Sequence, residues 1–479
     1  MALADIDHIV VLMLENRSFD CLLGKLYPPS DRFAGLTGAE QNPDPSGVPI
    51  PVWNAPGTDD ATMSIPDPDP GELFTDINMQ LFGTSTPPVP TPVPTMSGFV
   101  RNYLMQGDGA GATSRADAVM HYFTPEQVPV ISELARQFAV CDHWYASAPC
   151  QTWPNRFFVH TATANGYENN SPPHFPYDME TIFNRLDGAG QPWKIYFHDI
   201  PQSLTLSKLW LLADHFRFYD EFRHDAKTGE LPAYSFIEPR YFSDVSLPND
   251  QHPPHVVTLG EQLTADVYNC LRSGPNWART LLVITYDEHG GCYDHVPPPP
   301  AVPPGPGPTV PFNFDRYGVR VPAVIVSPFV PAGSILRAPP GSAPYDHTSI
   351  IATLRTRFGL GGPLTNRDKG APDLAAILTL PEPTNVGPLS VTPLSYAASP
   401  AEVAAAQAEP LNNQQRGLAE LAAHLPATTV TGDFPAFISS HLDLLGAGGI
   451  GSEAADAAQD VASAVSLIRS RLGNLFRGL

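Results

Sequence analysis

Short apolar runs that end in polar side chains recur along the chain. Examples are HIVVLML (His8–Leu14), FAVCD (Phe138–Asp142), WKIYF (Trp193–Phe197), AYSFIE (Ala233–Glu238), TLLVIT (Thr280–Thr285) and VPAVIVS (Val321–Ser327). Runs of this kind are typical of strands that are covered on both faces of a parallel sheet. Helix-like segments such as PVISELARQF and GEQLTADVYNCLRS lie between them. The alternation predicts a three-layer α/β/α sandwich with a central, mostly parallel sheet.

Two proline-rich stretches interrupt the alternation. Residues 42–96 contain PDPDPGELF and TSTPPVPTPVPT, and residues 296–311 read VPPPPAVPPGPGPTVP. We interpret both as loops over the active face with the stiffness of polyproline. For the first stretch, the alternative is a disordered linker between domains.

The composition changes to alanine-rich helical sequence after about residue 399. The last segment places apolar side chains at helical spacing, namely Ala457, Val461, Ala464, Val465, Ile468, Leu472 and Leu475. This predicts a packing or oligomerisation helix, with a homo-oligomer as one outcome. A membrane-surface helix is less favoured, because its few basic residues all lie near its end. We therefore divide the chain into a catalytic domain (1–398) and a helical C-terminal segment (399–479).

The charge and the hydropathy of the chain limit the classes of partner that it can bind. The 479 residues are 42% hydrophobic and carry a formal net charge of −22. This acidity argues against nucleic acid as a partner and against electrostatic docking on anionic membranes. No apolar run is long enough to span a bilayer, so membrane contact is at most peripheral. The N-terminus lacks a basic region and predicts a strand rather than a signal peptide. We expect a soluble protein that is cytoplasmic or exported by a route that this chain does not show.

The five cysteines indicate neither a zinc finger nor a disulfide scaffold, because their number is odd and none lies in a C-x-x-C pair. Whether Cys141 and Cys150 form a bridge stays open at this point.

The motif ENRSFD follows the first predicted strand. Ligands collect at the carboxyl ends of strands in open α/β sheets. The side chains of Glu15 and Asn16 offer two hard oxygen ligands, suited to a divalent cation. The alternative is a helix cap and turn in which Glu15 is solvated.

The motif TWPNR offers a nucleophile. Pro154 suits the first turn of a helix, so Thr152 would lie at a helix N-terminus, where an anion such as a phosphorylated hydroxyl is stabilised. The hydroxyl is a weak nucleophile unless a base or a metal lowers its pKa. In the alternative interpretation Thr152 is only an N-cap. Arg156 of the same motif is a candidate substrate-binding residue.

The stretch YDEHGGCYDHV places acids and histidines directly behind an apolar run. Asp287 and Glu288 make a hard-metal pair at a strand end. The two glycines, Gly290–Gly291, let the backbone turn sharply, and His295 returns toward the same region as a candidate acid or base. A polar hairpin-like loop is the alternative.

Three further histidines are candidates. In NDQHPPHVVTLGE two prolines separate His252 from His255, so these two residues do not share a helix face. We assign His252 as the acid/base. His255 and His347 are candidate substrate-binding residues, for which a structural role is the alternative.

Together these segments predict one site. Glu15, Asn16, Asp287 and Glu288 would bind a divalent metal (Ca, Mg, Mn or Zn), with Thr152 as the nucleophile beside it. A metal next to a hydroxyl lowers its pKa and neutralises charge that develops on a phosphoryl group. The chemistry is phosphoester hydrolysis through a phospho-threonine.

The motifs also resemble a known family. The sequences IDHIVVLMLENRSFDCLLG, TWPNRFFVHTAT, LPAYSFIEPRYF, NDQHPPHVVTLGE and TLLVITYDEHGGCYDHVPPP resemble, in this order, the bacterial and plant phosphoesterase family. That family contains the non-specific phospholipases C and a respiratory-burst-inhibiting acid phosphatase. The resemblance implies an alkaline phosphatase-like fold and the same metal ligands and nucleophile. It also implies an active-site role for His252, with His295 as a companion.

The sequence departs from the family pattern in two places. Cys21 stands where a histidine often follows ENRSFD, and the tail after Ser399 has no motif that matches.

Phospholipase C activity, which releases diacylglycerol and a phosphorylated head group, is the favoured function. The alternatives are an acid phosphatase acting on soluble monoesters and, more distantly, an inactive binding protein. ELFTDINMQLF (Glu72–Phe82) carries apolar side chains that either cover an acyl chain or are buried.

Overall fold

The central sheet is the frame of the molecule. The computed structural model describes residues 2–88, 91–106, 116–170, 177–305, 312–429, 434–446 and 458–476. Its strands are β1 (His8–Leu14), β2 (Gln41–Pro43), β3 (Pro49–Pro51), β4 (Ala139–Cys141), β5 (Trp144–Tyr145), β6 (Trp193–Phe197), β7 (Phe216–Phe218), β8 (Tyr234–Glu238), β9 (Thr280–Tyr286), β10 (Ala323–Val326), β11 (Ser334–Leu336) and β12 (Tyr345–Asp346). Eight of these strands form one sheet in the order β11–β4–β10–β9–β1–β8–β6–β7.

The sheet is mostly parallel, as predicted. Strand β10 runs antiparallel to β4 and β9, and the other neighbouring strands in this sheet run parallel. Each apolar run quoted above corresponds to one of its strands. Strands β8 and β9 are buried along their whole length, because helices cover the sheet and leave no face for polar side chains.

The helices complete the α/β class. They are α1 (Phe19–Leu23), α2 (Asp60–Met63), α3 (Phe74–Phe82), α4 (Phe99–Tyr103), α5 (Pro129–Gln137), α6 (Thr152–Thr161), α7 (Ile182–Gly188), α8 (Tyr219–Thr228), α9 (Val257–Ser273), α10 (Thr348–Phe358), α11 (Asn366–Gly370), α12 (Pro400–Gln407), α13 (Asn413–His424), α14 (Phe434–Gly446) and α15 (Val461–Leu475). Helix α9 packs against α5 and α8, and α6 packs against α7 and α10. These two groups contact the strands of the sheet, so the predicted fold class is confirmed.

The first proline-rich stretch is an ordered part of the molecule. It contains the hairpin β2–β3 and the helices α2 and α3, and its side chains Ile77 and Leu81 are buried in a second, smaller core with Phe99 and Tyr103. The disordered-linker alternative is therefore wrong for the described residues of this stretch. Burial rather than acyl binding accounts for most apolar side chains of α3. Residues 89–90 and 306–311 of the two proline-rich runs lie outside the described residues.

The C-terminal segment packs on the same core as the sheet. Helix α13 contacts α15, and the buried side chains of both helices join the main hydrophobic core, for example Leu418, Leu421, Ala464 and Ile468. The prediction of a packing helix is thus confirmed for α15, although Ala457 lies outside the described residues. The boundary at residue 399 stays a prediction.

Two further expectations concern cysteines and membranes. The five cysteines are free and buried, so Cys141 and Cys150 do not form a bridge. Within the described ranges, no helix is both long enough and apolar enough to cross a membrane.

Candidate active site

Two adjacent strands bring the four predicted metal ligands together. Strands β1 and β9 run parallel with Leu14 opposite Tyr286, so the residues that follow them leave the sheet at one edge. The backbone N–H of Asn16 donates to Asp287 Oδ1 at 2.9 Å, and its side-chain Nδ2 donates to Glu288 Oε1 at 2.7 Å. Glu15, Asn16, Asp287 and Glu288 are all fully buried, so Glu15 is not solvated, although Ser18 does cap helix α1.

The loops that follow β1 and β9 require a glycine at position 290. Asn16 has a φ of 55°, in the left-handed region that asparagine tolerates better than most residues. Gly290 also has a positive φ, of 59°. A Cβ on Gly290 would lie 2.1 Å from the carbonyl oxygen of Asn16, so only glycine allows the two loops to approach this closely.

We expect Gly290→Ala to destabilise the fold and to reduce activity. Gly190 is a matched control, because it has a φ of 65° and a Cβ there would meet no atom within 4 Å. Gly190→Ala should lower the free energy of unfolding by about 1 kcal/mol, and Gly290→Ala by at least about 2 kcal/mol more because of the backbone clash. Urea unfolding of both variants measures the difference, and equal losses would contradict it.

Helix α6 delivers the nucleophile candidate. Thr152 is its first residue, and the N-cap is Gln151, whose side chain makes no capping hydrogen bond. The N-cap alternative for Thr152 is therefore wrong. The buried Thr152 hydroxyl donates to Glu15 Oε2 at 3.5 Å, so it lies at a helix N-terminus and beside a carboxylate.

Arg156 lies one turn further along α6 and faces the acids. Its Nη2 donates to Glu15 Oε1, and its Nε lies 3.7 Å from Asp287 Oδ2. Burial opposes its charge, but the carboxylate of Glu15 raises the pKa of Arg156 overall, so the guanidinium stays charged. Its Nε and Nη1 are buried and have no hydrogen-bond partner among the described residues. These two N–H groups are suited to phosphoryl oxygens.

The proline-rich insertion contributes acids that the sequence interpretation missed. Asn16 Nδ2 also donates to Glu72 Oε1 at 2.6 Å, and that carboxylate oxygen lies 3.4 Å from His252 Nε2. One ligand atom each of Asp69, Glu72 and His252 lies within 4.8 Å of the other two. The acids were visible in PDPDPGE, but neither periodicity nor spacing shows that a loop folds back onto the strand ends.

The carboxyl groups are more numerous than the cations near them. Burial raises the pKa of Glu15 well above its ordinary value, although Arg156 opposes the shift. Burial also raises the pKa of Glu288 and raises that of Glu72 to about 8. Crowded buried carboxyls cannot all ionise without additional positive charge, so the cluster is suited to a cation.

The polar atoms left without partners test whether a metal fits. Within the part of the chain that the structure describes, the buried atoms that make no hydrogen bond include Asn16 Oδ1, Asp69 Oδ1, Asp287 Oδ2 and His252 Nε2. Buried polar atoms normally have partners, and carboxylate and amide oxygens are usual ligands for hard divalent cations. The residues present therefore fit a divalent metal.

His252 belongs to this group through one ring nitrogen. Its Nδ1 lies 2.7 Å from the carbonyl oxygen of Pro253. A carbonyl oxygen only accepts, so Nδ1 carries a proton and Nε2 is the ring nitrogen that faces Glu72. His255 instead pairs with Asp250, at 2.7 Å from Nδ1 to Oδ1, and so stabilises the loop that carries His252.

The other two predicted histidines, His295 and His347, make hydrogen bonds to other parts of the protein than the side chains of this cluster. The described hydrogen bonds of His295 go to Asp20, which is bound in turn by Arg320. His347 Nε2 donates to the backbone carbonyl of Asp287 at 2.6 Å, and its Nδ1 accepts from Trp144. Both ring nitrogens of His347 thus make hydrogen bonds, and the bond to the carbonyl oxygen of Asp287 stabilises the loop that carries this acid.

Two glutamines complete the surroundings of Glu15. Gln202 Nε2 donates to its Oε1 at 2.8 Å, and Gln414 Nε2 donates to its Oε2 at 2.6 Å. Neither was predicted. Gln202 follows β6, so the strand-end rule could have found it, whereas no sequence signal indicates Gln414.

A hydroxyl at a helix N-terminus, flanked by buried acids and an arginine at a sheet edge, is suited to the hydrolysis of phosphoric esters, and the family match supports a phosphoric ester hydrolase. The chain belongs to the phosphoesterase family, whose model matches residues 6–361. It is 42% identical over 395 residues to non-specific phospholipase C6 of Arabidopsis thaliana. The aligned region covers 78% of this chain and 73% of that protein. The chain is 30% identical over 444 residues to phospholipase C A of Mycobacterium tuberculosis (strain H37Rv), with 80% and 79% covered.

Solved structures resemble this chain only weakly. A 2-O GAG sulfatase has a TM-score of 0.32 and 12% identity, with 52% of this chain and 68% of that chain covered. Similarity at this level carries no argument about function, and the fold described above rests on the sheet and helices themselves.

Proposed function

We propose that the chain is a metal-dependent phospholipase C, which cleaves phospholipids to diacylglycerol and a phosphorylated head group through a phospho-threonine intermediate. The observation that carries this proposal is the Thr152 hydroxyl at the start of α6, pointing at Glu15 beside the unpartnered N–H groups of Arg156. The phospholipase C names of several relatives in plants and mycobacteria support the substrate class.

Glu15, Asn16, Asp287 and Glu288 are the proposed cation ligands, with Glu72 beside them. A divalent cation bound there would lower the pKa of a neighbouring hydroxyl and offset negative charge on phosphoryl oxygens. The raised pKa values of the free carboxyls indicate that cation binding would be accompanied by proton release.

The first chemical step follows from the contacts of Thr152. Its Oγ1 attacks phosphorus and transfers its proton to Glu15 Oε2, the nearest acceptor described. The new Oγ1–P bond forms as the P–O bond to diacylglycerol breaks. Arg156 and the first N–H groups of α6 hold the phosphoryl oxygens. His252 Nε2, in its protonated form, gives a proton to the departing alkoxide.

The second step regenerates the enzyme. His252, now neutral, accepts a proton from a water molecule that attacks phosphorus, and the Oγ1–P bond breaks to release the phosphorylated head group. Thr152 recovers its proton from Glu15. Proton transfers therefore balance over one turnover. The scheme assigns no proton transfer to His295 or His347, because their described hydrogen bonds go to Asp20 and to the backbone of Asp287.

A paired assay tests the reaction and its metal requirement. We expect the purified chain to release diacylglycerol from phosphatidylcholine well above its rate on p-nitrophenyl phosphate. We also expect chelation to abolish both activities and divalent metals to restore them. Faster hydrolysis of the soluble monoester would favour the acid phosphatase alternative. Activity that survives complete chelation would contradict the metal requirement, and no hydrolysis under any condition would favour a binding protein.

A further inference from the structure

The C-terminal segment reaches into the candidate active site through one side chain. Gln414 is the second residue of α13, and its amide nitrogen donates to Glu15 Oε2 at 2.6 Å. Only 2% of Gln414 is exposed. The contact joins the family-matched region, which ends at residue 361, to a part of the chain that lies beyond it.

Helix α13 is part of the core rather than a loosely attached cover. Leu418 and Leu421 are fully buried in the core that includes the central sheet. Gln415 Nε2 donates to the carbonyl oxygen of Tyr241 at 3.0 Å. A Cβ on Gly417 would lie 3.1 Å from the indole of Trp153, next to Thr152. Packing therefore fixes the position of Gln414 relative to the nucleophile.

The chemistry of the contact is directional. An amide N–H only donates and a carboxylate only accepts, so Gln414 holds one specific oxygen of Glu15. The same oxygen accepts from the Thr152 hydroxyl at 3.5 Å, while the other oxygen accepts from Arg156 and Gln202. Four donors thus set the plane of this carboxylate. The Oε1 atom of Gln414 is itself buried without a hydrogen-bond partner.

We propose that Gln414 is a positioning residue of the active site, which orients Glu15 toward the cation and toward the Thr152 hydroxyl. The C-terminal segment therefore completes the site in addition to stabilising the fold. This inference rests on the proposed function, in which Glu15 is a metal ligand. Residues that orient a metal ligand typically contribute 10–100-fold to metal affinity or activity, and we expect about that effect here.

The test compares two isosteric variants on one helix. Gln414→Met keeps the volume and removes the donor to Glu15, and Gln415→Met makes the same change at the neighbour that contacts Tyr241. Isothermal titration of Mn²⁺ into the metal-free full-length proteins should give a Kd about 10–100-fold weaker for Q414M and within about twofold of wild type for Q415M. The kcat of Q414M should fall by a similar factor, with a smaller change in KM.

Each outcome decides a separate point. Wild-type Kd and kcat in Q414M would overturn the positioning role, as would equal losses in both variants, which would indicate packing alone. If Q414M does not fold, Gln414→Glu keeps the length and replaces the donor by a group that repels Glu15 Oε2, and its kcat should fall by the factor expected for Q414M. A wild-type protein that binds no Mn²⁺, Ca²⁺, Mg²⁺ or Zn²⁺ would instead overturn the proposed metal requirement, and kcat alone would then decide the role of Gln414.

Discussion

Thr152→Ala should abolish turnover while leaving the fold intact. The hydroxyl is the proposed attacking group, so we expect kcat to fall by at least about 10⁴-fold, as is usual when a nucleophile is removed. The side chain is fully buried, and its one described hydrogen bond, to Glu15, is long at 3.5 Å. Loss of that bond should therefore cost no more than about 1 kcal/mol of stability. Steady-state hydrolysis of phosphatidylcholine together with thermal denaturation measures both effects.

A second buried threonine on the same helix serves as a control that distinguishes the loss of the nucleophile from a loss of packing. Thr161, the last residue of the same helix, is also buried, and its hydroxyl donates to backbone carbonyls, for example that of Phe157 at 2.9 Å. Thr161→Ala should therefore keep kcat within a few-fold of wild type. An active Thr152→Ala enzyme would contradict the mechanism, and so would equal losses of activity in the two variants.

Arg156→Met should damage both stability and catalysis. It removes the cation that contacts Glu15 and approaches Asp287 and Glu238. Breaking a buried pair by removing one partner typically costs about 3–5 kcal/mol, and we expect the metal-free protein to lose about 3 kcal/mol. The variant also loses the N–H groups proposed to hold the phosphoryl oxygens, so kcat/KM should fall by at least about 100-fold.

Arg223 provides the control for charge removal. It pairs with Asp220 and Asp266 at 2.8 and 2.7 Å, but its side chain is 46% exposed. Exposed pairs contribute about 0–1 kcal/mol, so Arg223→Met should be nearly neutral in urea unfolding and in the lipase assay. If Arg156→Met unfolded at the wild-type urea concentration and kept its activity, the account of Arg156 would be wrong.

The sheet and the edge that carries Glu15 and Asp287 could be predicted from the sequence, because the local pattern of apolar residues shows which strands are buried. Apolar runs such as HIVVLML end in the residues that chemistry requires, and parallel neighbours place those residues at one edge. The pairing of β1 with β9 then brings Glu15 and Asp287 together although most of the domain separates them in sequence. The glycines of YDEHGGCYDHV have the positive φ values that a sharp turn requires.

The remaining contributors depend on tertiary contacts that leave no periodic signal. Glu72 lies in an insertion whose prolines favour a loop interpretation, and only the docking of that loop on Asn16 places its carboxylate in the site. Gln414 lies in helix α13, whose sequence pattern indicates only a helix that packs on the core. The roles predicted for His295 and His347 stay predictions, because their described hydrogen bonds, to Asp20 and to the backbone of Asp287, do not test them.

Trapping the covalent intermediate would show whether Thr152 is the nucleophile. The full-length enzyme would be quenched with acid during turnover of phosphatidylcholine labelled in its head group, then digested and mapped by mass spectrometry. The account predicts a phosphoryl head-group adduct on the peptide that contains Thr152, and on its side chain. Label on any other residue, or sustained turnover with no labelled peptide at any quench time, would contradict it.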